Sequence, residues 1–350
     1  MFRKLYELSG IIDAGAWKWQ KVREMMKASE VCDTGYNEPF ILQRADPFIC
    51  RAQDGTYYFT ASVPEYDRIV LRHSDTLQGL RDAVETEVWH RHACGPQSKH
   101  IWAPELHYIF GGWYLYYAAG EKEDEWKIRP YVLKCESEDP MKGPWTELGR
   151  MQPADEDPFS LRSFSLDATI MEHKGSYYYI WAEKTGVGQQ ISNLYIARMQ
   201  GPAKLATAQV LLTTPDYDWE RVGFWVDEGP AVLKHGGKIF LTFSASATGA
   251  CYCMGLMSIE EDAEILDPNA WKKERWPVLK TDEEKGIYGP GHNSFVKAED
   301  GQTDLCVLHF RQYDEIVGDP LYDPNRHVMI LPVVWDENGN PVFQYRKAEK

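Results

Sequence analysis

The stretch RADPFICRAQDGTYYFTAS, Arg44 to Ser62, carries the unit on which the fold prediction rests. Asp54-Gly55 is a turn signal between an apolar segment and the aromatic run Tyr57-Tyr58-Phe59, and this pattern predicts a β-hairpin. Asp46 is unusual, because it places a carboxylate just before the apolar run Phe48-Ile49-Cys50. A carboxylate that enters a core needs a partner or a function, since burying an unpaired charge is costly.

The same layout recurs four more times along the chain. Each copy has a strand, a turn containing glycine and an apolar or aromatic second strand, and a third strand often follows. The further copies are APELHYIFGGWYLYYAAG (103–120), DATIMEHKGSYYYIWAEK (167–184), EGPAVLKHGGKIFLTFSAS (228–246) and HNSFVKAEDGQTDLCVLHFRQ (292–312). Five units of nearly equal length predict an all-β fold, a five-bladed β-propeller. Two stacked β-domains are the competing architecture.

A polar residue lies near the start of the first strand in each unit. Aligning the units by their turns gives Asp46, Glu105, Asp167, Glu228 and His292. In a propeller the first strand of each blade borders the central axis, so these side chains are expected to converge. Neighbouring carboxylates push their pKa values apart, which supplies one acid and one base. Two such groups in a pocket rich in Trp and Tyr suggest glycoside hydrolysis.

Helical periodicity is clear only near residues 11–30, which predicts an N-terminal helical extension over residues 1–35. The propeller is expected to form the catalytic domain over residues 36–345. The extension either packs on that domain or lies at a subunit interface, so a homo-oligomer is an open alternative.

The 350-residue chain has a formal net charge of −15, which argues against nucleic acids and anionic membranes as partners. The sequence contains no run of about 18 apolar residues, so no membrane span is predicted. It also has no continuous apolar segment near its start, so no secretion signal is predicted. The seven scattered cysteines favour reduced thiols. Together these features predict a cytoplasmic location.

Five short motifs resemble glycoside hydrolase family 43. They are RADPF (44–48), WAPEL (102–106), SLDATI (165–170), DEGPAV (227–232) and GPGHNSF (289–295), and GDPLYDPNRH (318–327) is similar to the arabinofuranosidase-like members. The resemblance implies a five-bladed propeller that hydrolyses arabinofuranosides or xylosides with inversion and needs no cofactor for the chemistry.

The resemblance also implies three catalytic roles. Asp46 matches the general base that activates water, and Asp167 matches the carboxylate that orients substrate and raises the pKa of the acid. Glu228 matches the general acid. Asp227 is adjacent, but successive strand residues face opposite sides, so only one of the two can point to the axis.

Six further residues are candidates for contact with the sugar. Phe48, Phe164 and Trp225 flank the catalytic candidates and Trp102 is a possible stacking platform, although core packing is the alternative for each. Arg326 matches an active-site arginine. His292 matches a channel histidine that helps to hold a calcium ion or a water molecule, and a neutral histidine hydrogen-bonded in the channel is the alternative. Glu105 matches no catalytic position and is expected to be structural.

The predicted function is an exo-acting α-L-arabinofuranosidase that releases terminal arabinose from arabino-oligosaccharides. A β-xylosidase of the same family is one alternative. The other is a sugar-binding propeller without catalytic activity.

Overall fold

The computed structural model describes residues 38–185 and 190–345, and this part consists almost entirely of β-strands. The all-β class is therefore confirmed. Helical structure within these ranges is limited to α1 (Leu77–Leu80) and three single-turn 3-10 helices, Asp218–Glu220, Glu283–Lys285 and Pro320–Tyr322. None of these helices is long and apolar enough to cross a membrane. The helix predicted over residues 1–35 lies outside the described residues.

The strands follow the five predicted units in chain order. The first unit contains β1 (Ala45–Arg51), β2 (Tyr57–Ser62), β3 (Arg68–Ser74) and β4 (Thr86–His90). The second contains β5 (Lys99–Ile109), β6 (Gly112–Glu121), β7 (Asp124–Cys135) and β8 (Trp145–Arg150). The third contains β9 (Ser165–His173), β10 (Ser176–Thr185), β11 (Ile191–Gly201), β12 (Lys204–Leu205) and β13 (Val210–Thr213). The fourth contains β14 (Trp225–His235), β15 (Lys238–Ala245), β16 (Cys253–Glu260) and β17 (Lys272–Lys273). The fifth contains β18 (Tyr288–Lys297), β19 (Asp304–Arg311), β20 (His327–Trp335) and β21 (Pro341–Phe343).

The units pair internally as antiparallel sheets, and a short parallel pairing of β11 with β14 joins the third and fourth units into one sheet of nine strands. The first strands of the units contact one another in cyclic order: β1 contacts β5, β5 contacts β9, β9 contacts β14, β14 contacts β18, and β18 contacts β1. Their amino-terminal halves therefore surround a common centre. Apolar side chains fill the space between neighbouring sheets, as where Tyr116 packs against Tyr179 at a ring distance of 6.0 Å.

Each of these five strands has a β-bulge at the same place in its unit. The pairing with the second strand slips between Ala45 and Phe48, and it slips at the corresponding places in β5, β9, β14 and β18. One residue inside each bulge has a positive φ angle: Asp46 53°, Ala103 45°, Asp167 52°, Gly229 55° and His292 45°. Bulges re-aim side chains and are common beside active sites. Asp and His adopt positive φ more readily than most residues.

The bulges correct the predicted alignment. Asp46, Asp167 and His292 are equivalent, but Ala103 and Gly229 take the corresponding positions in the second and fourth units. Glu105 lies two residues after the bulged residue Ala103, and Glu228 lies one residue before the bulged residue Gly229. A turn-based alignment cannot detect this difference, because it counts residues from the far end of the strand.

Candidate active site

Three bulged residues from distant parts of the chain meet at the centre. His292 Nδ1 lies 3.3 Å from Asp46 Oδ1 and 3.7 Å from Asp167 Oδ2. All three side chains are buried. Burial alone would lower the pKa of His292, but the surrounding carboxylates Asp46, Asp167 and Glu228 outweigh it and raise the pKa. The imidazole of His292 thus lies where a positive charge is favoured.

Asp46 is held by hydrogen bonds on several sides. Ser62 Oγ donates to its Oδ2 at 2.6 Å, and Arg326 donates to Oδ1 at 3.3 Å. The backbone N–H of Asp46 donates to His309 Nδ1 at 3.0 Å. Burial alone would raise the pKa of Asp46, but His292, Arg326 and His309 outweigh it and hold the pKa well below its ordinary value. Asp46 is therefore a carboxylate at neutral pH.

Glu228 and Asp167 have the opposite electrostatic setting. Burial raises the pKa of Glu228, although a hydrogen bond that Tyr252 donates to its Oε1 at 2.8 Å partly opposes this. Burial and the carboxylates Glu228 and Asp46 raise the pKa of Asp167. Glu228 is half-buried and more accessible than Asp46. The site thus holds a carboxylate of lowered pKa together with carboxyls of raised pKa, as acid–base catalysis requires.

Arg326 links the acids to the wall of the site. Its guanidinium is buried, and it donates to the Tyr66 hydroxyl at 2.7 Å as well as to Asp46. The Tyr66 hydroxyl donates in turn to the Leu321 carbonyl at 2.6 Å. Burial would lower the pKa of Arg326, but Tyr66 and Asp46 raise it, so the side chain is a permanent cation.

Gly229 leaves room for the ring of His292 beside the carboxyls. A Cβ atom at Gly229 would lie 3.1 Å from His292 Cγ, so a side chain there would press on the imidazole. The positive φ of 55° also favours glycine. The Glu-Gly sequence therefore provides a catalytic candidate and the space for the neighbouring ring.

Three of the predicted aromatic residues, Trp102, Phe164 and Trp225, each have different neighbours. Trp102 stacks on His100 at 4.5 Å and contacts Tyr66 at 5.8 Å, beside Arg326. Phe164 lines a groove described below, where its ring faces Lys184. Trp225 lies under the Arg221 guanidinium at 4.5 Å.

Phe48 lies apart from the acids. Its ring contacts His107 at 4.9 Å, and it lines a separate groove together with residues of β18. Phe48 lies two residues after the bulged residue Asp46. Glu105 has the equivalent position in the second unit, two residues after Ala103. Glu105 pairs with His107 Nε2 at 2.7 Å, in keeping with the structural role expected for it.

Asp227 and Glu228 face different surroundings. Asp227 is fully buried, accepts a hydrogen bond from Thr213 Oγ1 at 3.0 Å and lies 3.5 Å from Lys273 Nζ. Glu228 is bound by Tyr252 at the centre. Strand alternation therefore separates the two carboxyls as expected.

Several groups of the site were not found from the sequence. Tyr252 follows β15, Ser62 ends β2 and His309 lies in β19, so none of them belongs to a first strand. They occupy second strands or loops, where the repeat pattern gives no signal for a polar contact with the centre.

Calcium prefers oxygen ligands, whereas His292 offers a ring nitrogen. Its Nδ1 faces two carboxylates, and no cluster of three or more His, Cys, Asp or Glu side chains in the described part of the chain is arranged to hold a metal ion. No step below uses a metal.

Carboxyls of opposed pKa in one site are what an acid–base glycosidase requires. The chain belongs to glycosyl hydrolases family 43, whose family model matches residues 36–341. This confirms the resemblance seen in the five motifs.

The relatives are similar over most of the chain. An extracellular exo-α-(1→5)-L-arabinofuranosidase of Streptomyces avermitilis is 48% identical over 308 residues, 88% of this chain and 63% of the relative. The chain thus spans less than two thirds of that protein. A protein of the same name from Streptomyces chartreusis is 49% identical over 285 residues, 81% of this chain and 85% of the relative. The crystal structure of an α-L-arabinofuranosidase from Lactobacillus brevis superposes with a TM-score of 0.84 at 46% identity, covering 91% of this chain and all of that one.

The predicted cytoplasmic location is wrong, because both Streptomyces relatives are named as extracellular enzymes. Free cysteines misled the prediction. Those in the described residues are unpaired, and burial raises the pKa of thiols such as Cys253 and Cys306. A buried thiol of high pKa is unreactive, so its presence does not require a reducing compartment.

Proposed function

We propose that the chain is an inverting, exo-acting α-L-arabinofuranosidase that releases terminal arabinofuranosyl residues from arabino-oligosaccharides. The observation that carries the proposal is the opposed setting of Asp46 and Glu228 around one buried histidine. The names of the relatives favour arabinofuranosides over the β-xylosides that we considered as an alternative. The same two Streptomyces names support an extracellular location.

The mechanism assigns one proton transfer to each catalytic carboxyl. Asp46 takes a proton from a water molecule, and the water oxygen forms a bond to the anomeric carbon. The bond from that carbon to the leaving oxygen breaks, and Glu228 donates its proton to that oxygen. Water attacks from the face opposite the leaving group, which inverts the configuration.

Asp167, His292 and Arg326 act on the acids and the substrate without transferring a proton. Asp167 is close enough to Glu228 for the two carboxyls to interact electrostatically, and its proposed role is to orient the substrate. Arg326 and His292 keep Asp46 ionised. Arg326 and Trp102 are placed to contact the bound sugar, and Phe164 and Trp225 are further candidates at its rim.

We also propose that residues 36–345 form a five-bladed β-propeller. The cyclic contacts of β1, β5, β9, β14 and β18 support it, as does the bulge repeated in each of these strands. A calcium ion at His292 stays a prediction, which chelation followed by an activity measurement would test. An oligomer also stays a prediction, testable by light scattering.

The function is tested with aryl α-L-arabinofuranoside, aryl β-D-xyloside and arabino-oligosaccharides. Release of arabinose as the preferred product is expected. Preferred release of xylose would establish the alternative activity, and binding without hydrolysis would identify a non-catalytic protein. Proton NMR of the first anomer released decides between inversion and retention.

A further inference from the structure

A groove of about 390 Å³ opens between β7 and β10, and it differs in charge from the rest of the chain. Its lining includes Trp126, Lys127, Arg129, Phe164 and Lys184. Three of these side chains are cationic, and Asp124 is the carboxylate among the lining residues. The whole chain carries a formal net charge of −15, so this concentration of positive charge is a local feature.

Two of the cations have no carboxylate partner among the described residues. Lys127 pairs with Glu121 at 2.9 Å, but neither Arg129 nor Lys184 lies within 4.0 Å of a carboxylate in residues 38–185 and 190–345. Lys184 Nζ lies over the Phe164 ring at 4.0 Å instead. A positive charge that is partly buried and unpaired is costly, and an anion in the groove would offset that cost.

Arg129 is held in place by neutral groups. Its guanidinium donates to the Ile128 carbonyl at 2.7 Å and to the Arg162 carbonyl at 2.5 Å, and its Nε is buried without a partner in the described part of the chain. Burial, together with the neighbouring Arg150, lowers the pKa of Arg129. Backbone carbonyls orient the side chain without neutralising it, so its charge remains available to a ligand.

The groove lies near the proposed acid. Lys184 is close enough to Glu228 to interact with it electrostatically. The Trp126 ring is 50% exposed and contacts Trp102, which lies beside the central pocket, at a ring distance of 6.3 Å. A ligand bound against Trp126 and Arg129 would therefore extend from the leaving-group side of the bond to be cut.

We propose that this groove binds the carboxylate of an acidic sugar, so that the preferred substrate carries its arabinofuranosyl group on a chain containing a uronic acid. The inference rests on the proposed function, because it places the acidic sugar in the leaving group. Trp126 supplies a face for the sugar ring. Arg129 and Lys184 supply charge-assisted contacts to its carboxylate.

The test uses one arabinosylated oligosaccharide that contains a uronic acid, and the same compound after its carboxyls have been reduced to alcohols. We expect kcat/KM to be roughly ten-fold higher for the acidic form at low salt, and the difference to shrink as salt is added. Arg129→Gln should abolish the difference. Lys127→Gln should keep it, because Lys127 lies on the same strand and lines the same groove but is already paired with Glu121.

Equal kcat/KM values for the two forms with the unaltered chain would overturn the inference. A loss of preference in Lys127→Gln as large as in Arg129→Gln would also overturn it. The preference for the acidic substrate would then depend on the positive charge of the surface in general and not on Arg129. If Arg129→Gln does not fold, Lys184→Gln takes its place. The ratio between the two substrates cancels any effect of Lys184 on Glu228, since both substrates contain the same arabinosyl bond.

A neutral arabino-oligosaccharide separates this inference from the proposed function. If the chain releases arabinose from it but shows no preference for the acidic compound, only the groove assignment fails. If it releases no arabinose from any substrate, the proposed function fails.

Discussion

Strand β14 places two adjacent carboxyls in two different carboxylate clusters. Glu228 faces the centre, where Asp46 and Asp167 also lie, and Asp227 faces a cluster formed with Asp216, Glu220 and Lys273. Both clusters hold several acidic groups, and burial raises the pKa of both Asp227 and Glu228. A perturbed carboxyl is therefore not enough to identify a catalytic site.

The clusters differ in access and in the way their charge is balanced. Lys273 Nζ lies 2.8 Å from Asp216 and 2.5 Å from Glu220, and both Glu220 and Asp227 are 0% exposed. One cation serves three carboxyls, of which Glu220 and Asp227 are closed off from solvent and Asp216 is exposed. At the centre, Asp46 has its own donors and Glu228 remains accessible. This separation allows one group to lose a proton while another keeps it.

The largest expected effect comes from Glu228→Gln compared with Asp227→Asn. Removing the proton donor should lower kcat on arabino-oligosaccharides by about 10²–10⁴-fold, the usual contribution of a general acid. The loss should be smaller on an aryl arabinofuranoside, whose leaving group needs less protonation. Steady-state kinetics of both variants on both substrates provides the measurement.

Asp227→Asn is the matched control, because it makes the same chemical change one residue earlier on the same strand. Its kcat should stay close to that of the unaltered chain. If Asp227→Asn lost as much activity as Glu228→Gln, the division between the two clusters would be wrong.

Some residues of the central site could be predicted from the sequence, and others could not. The repeat and its motifs predicted the convergence of Asp46, Asp167, Glu228 and His292, because a polar residue at the start of an apolar strand is a local signal. The sequence did not reveal that Glu105 is out of register, because the position of a bulge depends on pairing with a second strand.

Contacts between distant elements were also beyond the sequence. Tyr252, Ser62 and the unpaired state of Arg129 depend on which side chains meet after the sheets assemble. The cytoplasmic prediction failed for a different reason. It treated free cysteines as a sign of compartment, although Cys135, Cys253 and Cys306 are buried and a buried thiol is unreactive in any compartment.

The second effect concerns stability and belongs to the closed cluster. Lys273→Met should lower the free energy of unfolding by about 3–5 kcal/mol at neutral pH, because it leaves buried carboxyls without their cation. Burial already raises the folded-state pKa values of Glu220 and Asp227 above the unfolded ones, and without the cation these values should rise further. The missing stability should therefore return as the pH falls and the carboxyls take up protons.

Denaturant unfolding at pH 7 and pH 5 measures this change. The kcat of the folded fraction should remain nearly unchanged, unlike that of Glu228→Gln. A variant as stable as the unaltered chain at pH 7 would contradict the view that Lys273 balances the cluster.

A third effect appears in the acidic limb of the pH–activity profile. Arg326 lowers the pKa of Asp46, so Arg326→Gln should raise that pKa and move the acidic limb to higher pH by about one unit. Arg311→Gln is the control. Arg311 is also buried, but it pairs with Asp323 at 3.3 Å. An equal shift in both variants would show that the limb does not report the Arg326–Asp46 contact.

The smallest effect separates the hydrogen bond on Glu228 from its burial. The bond from Tyr252 stabilises the ionised form of Glu228, so Tyr252→Phe should raise the pKa of the acid further. Glu228 acts in its protonated form, and the alkaline limb should therefore move to higher pH by less than about one unit. Tyr117→Phe removes a buried hydroxyl that donates to Gln97 and should leave the limb in place. An alkaline limb that moved to lower pH in Tyr252→Phe would mean that this limb reports a group other than Glu228.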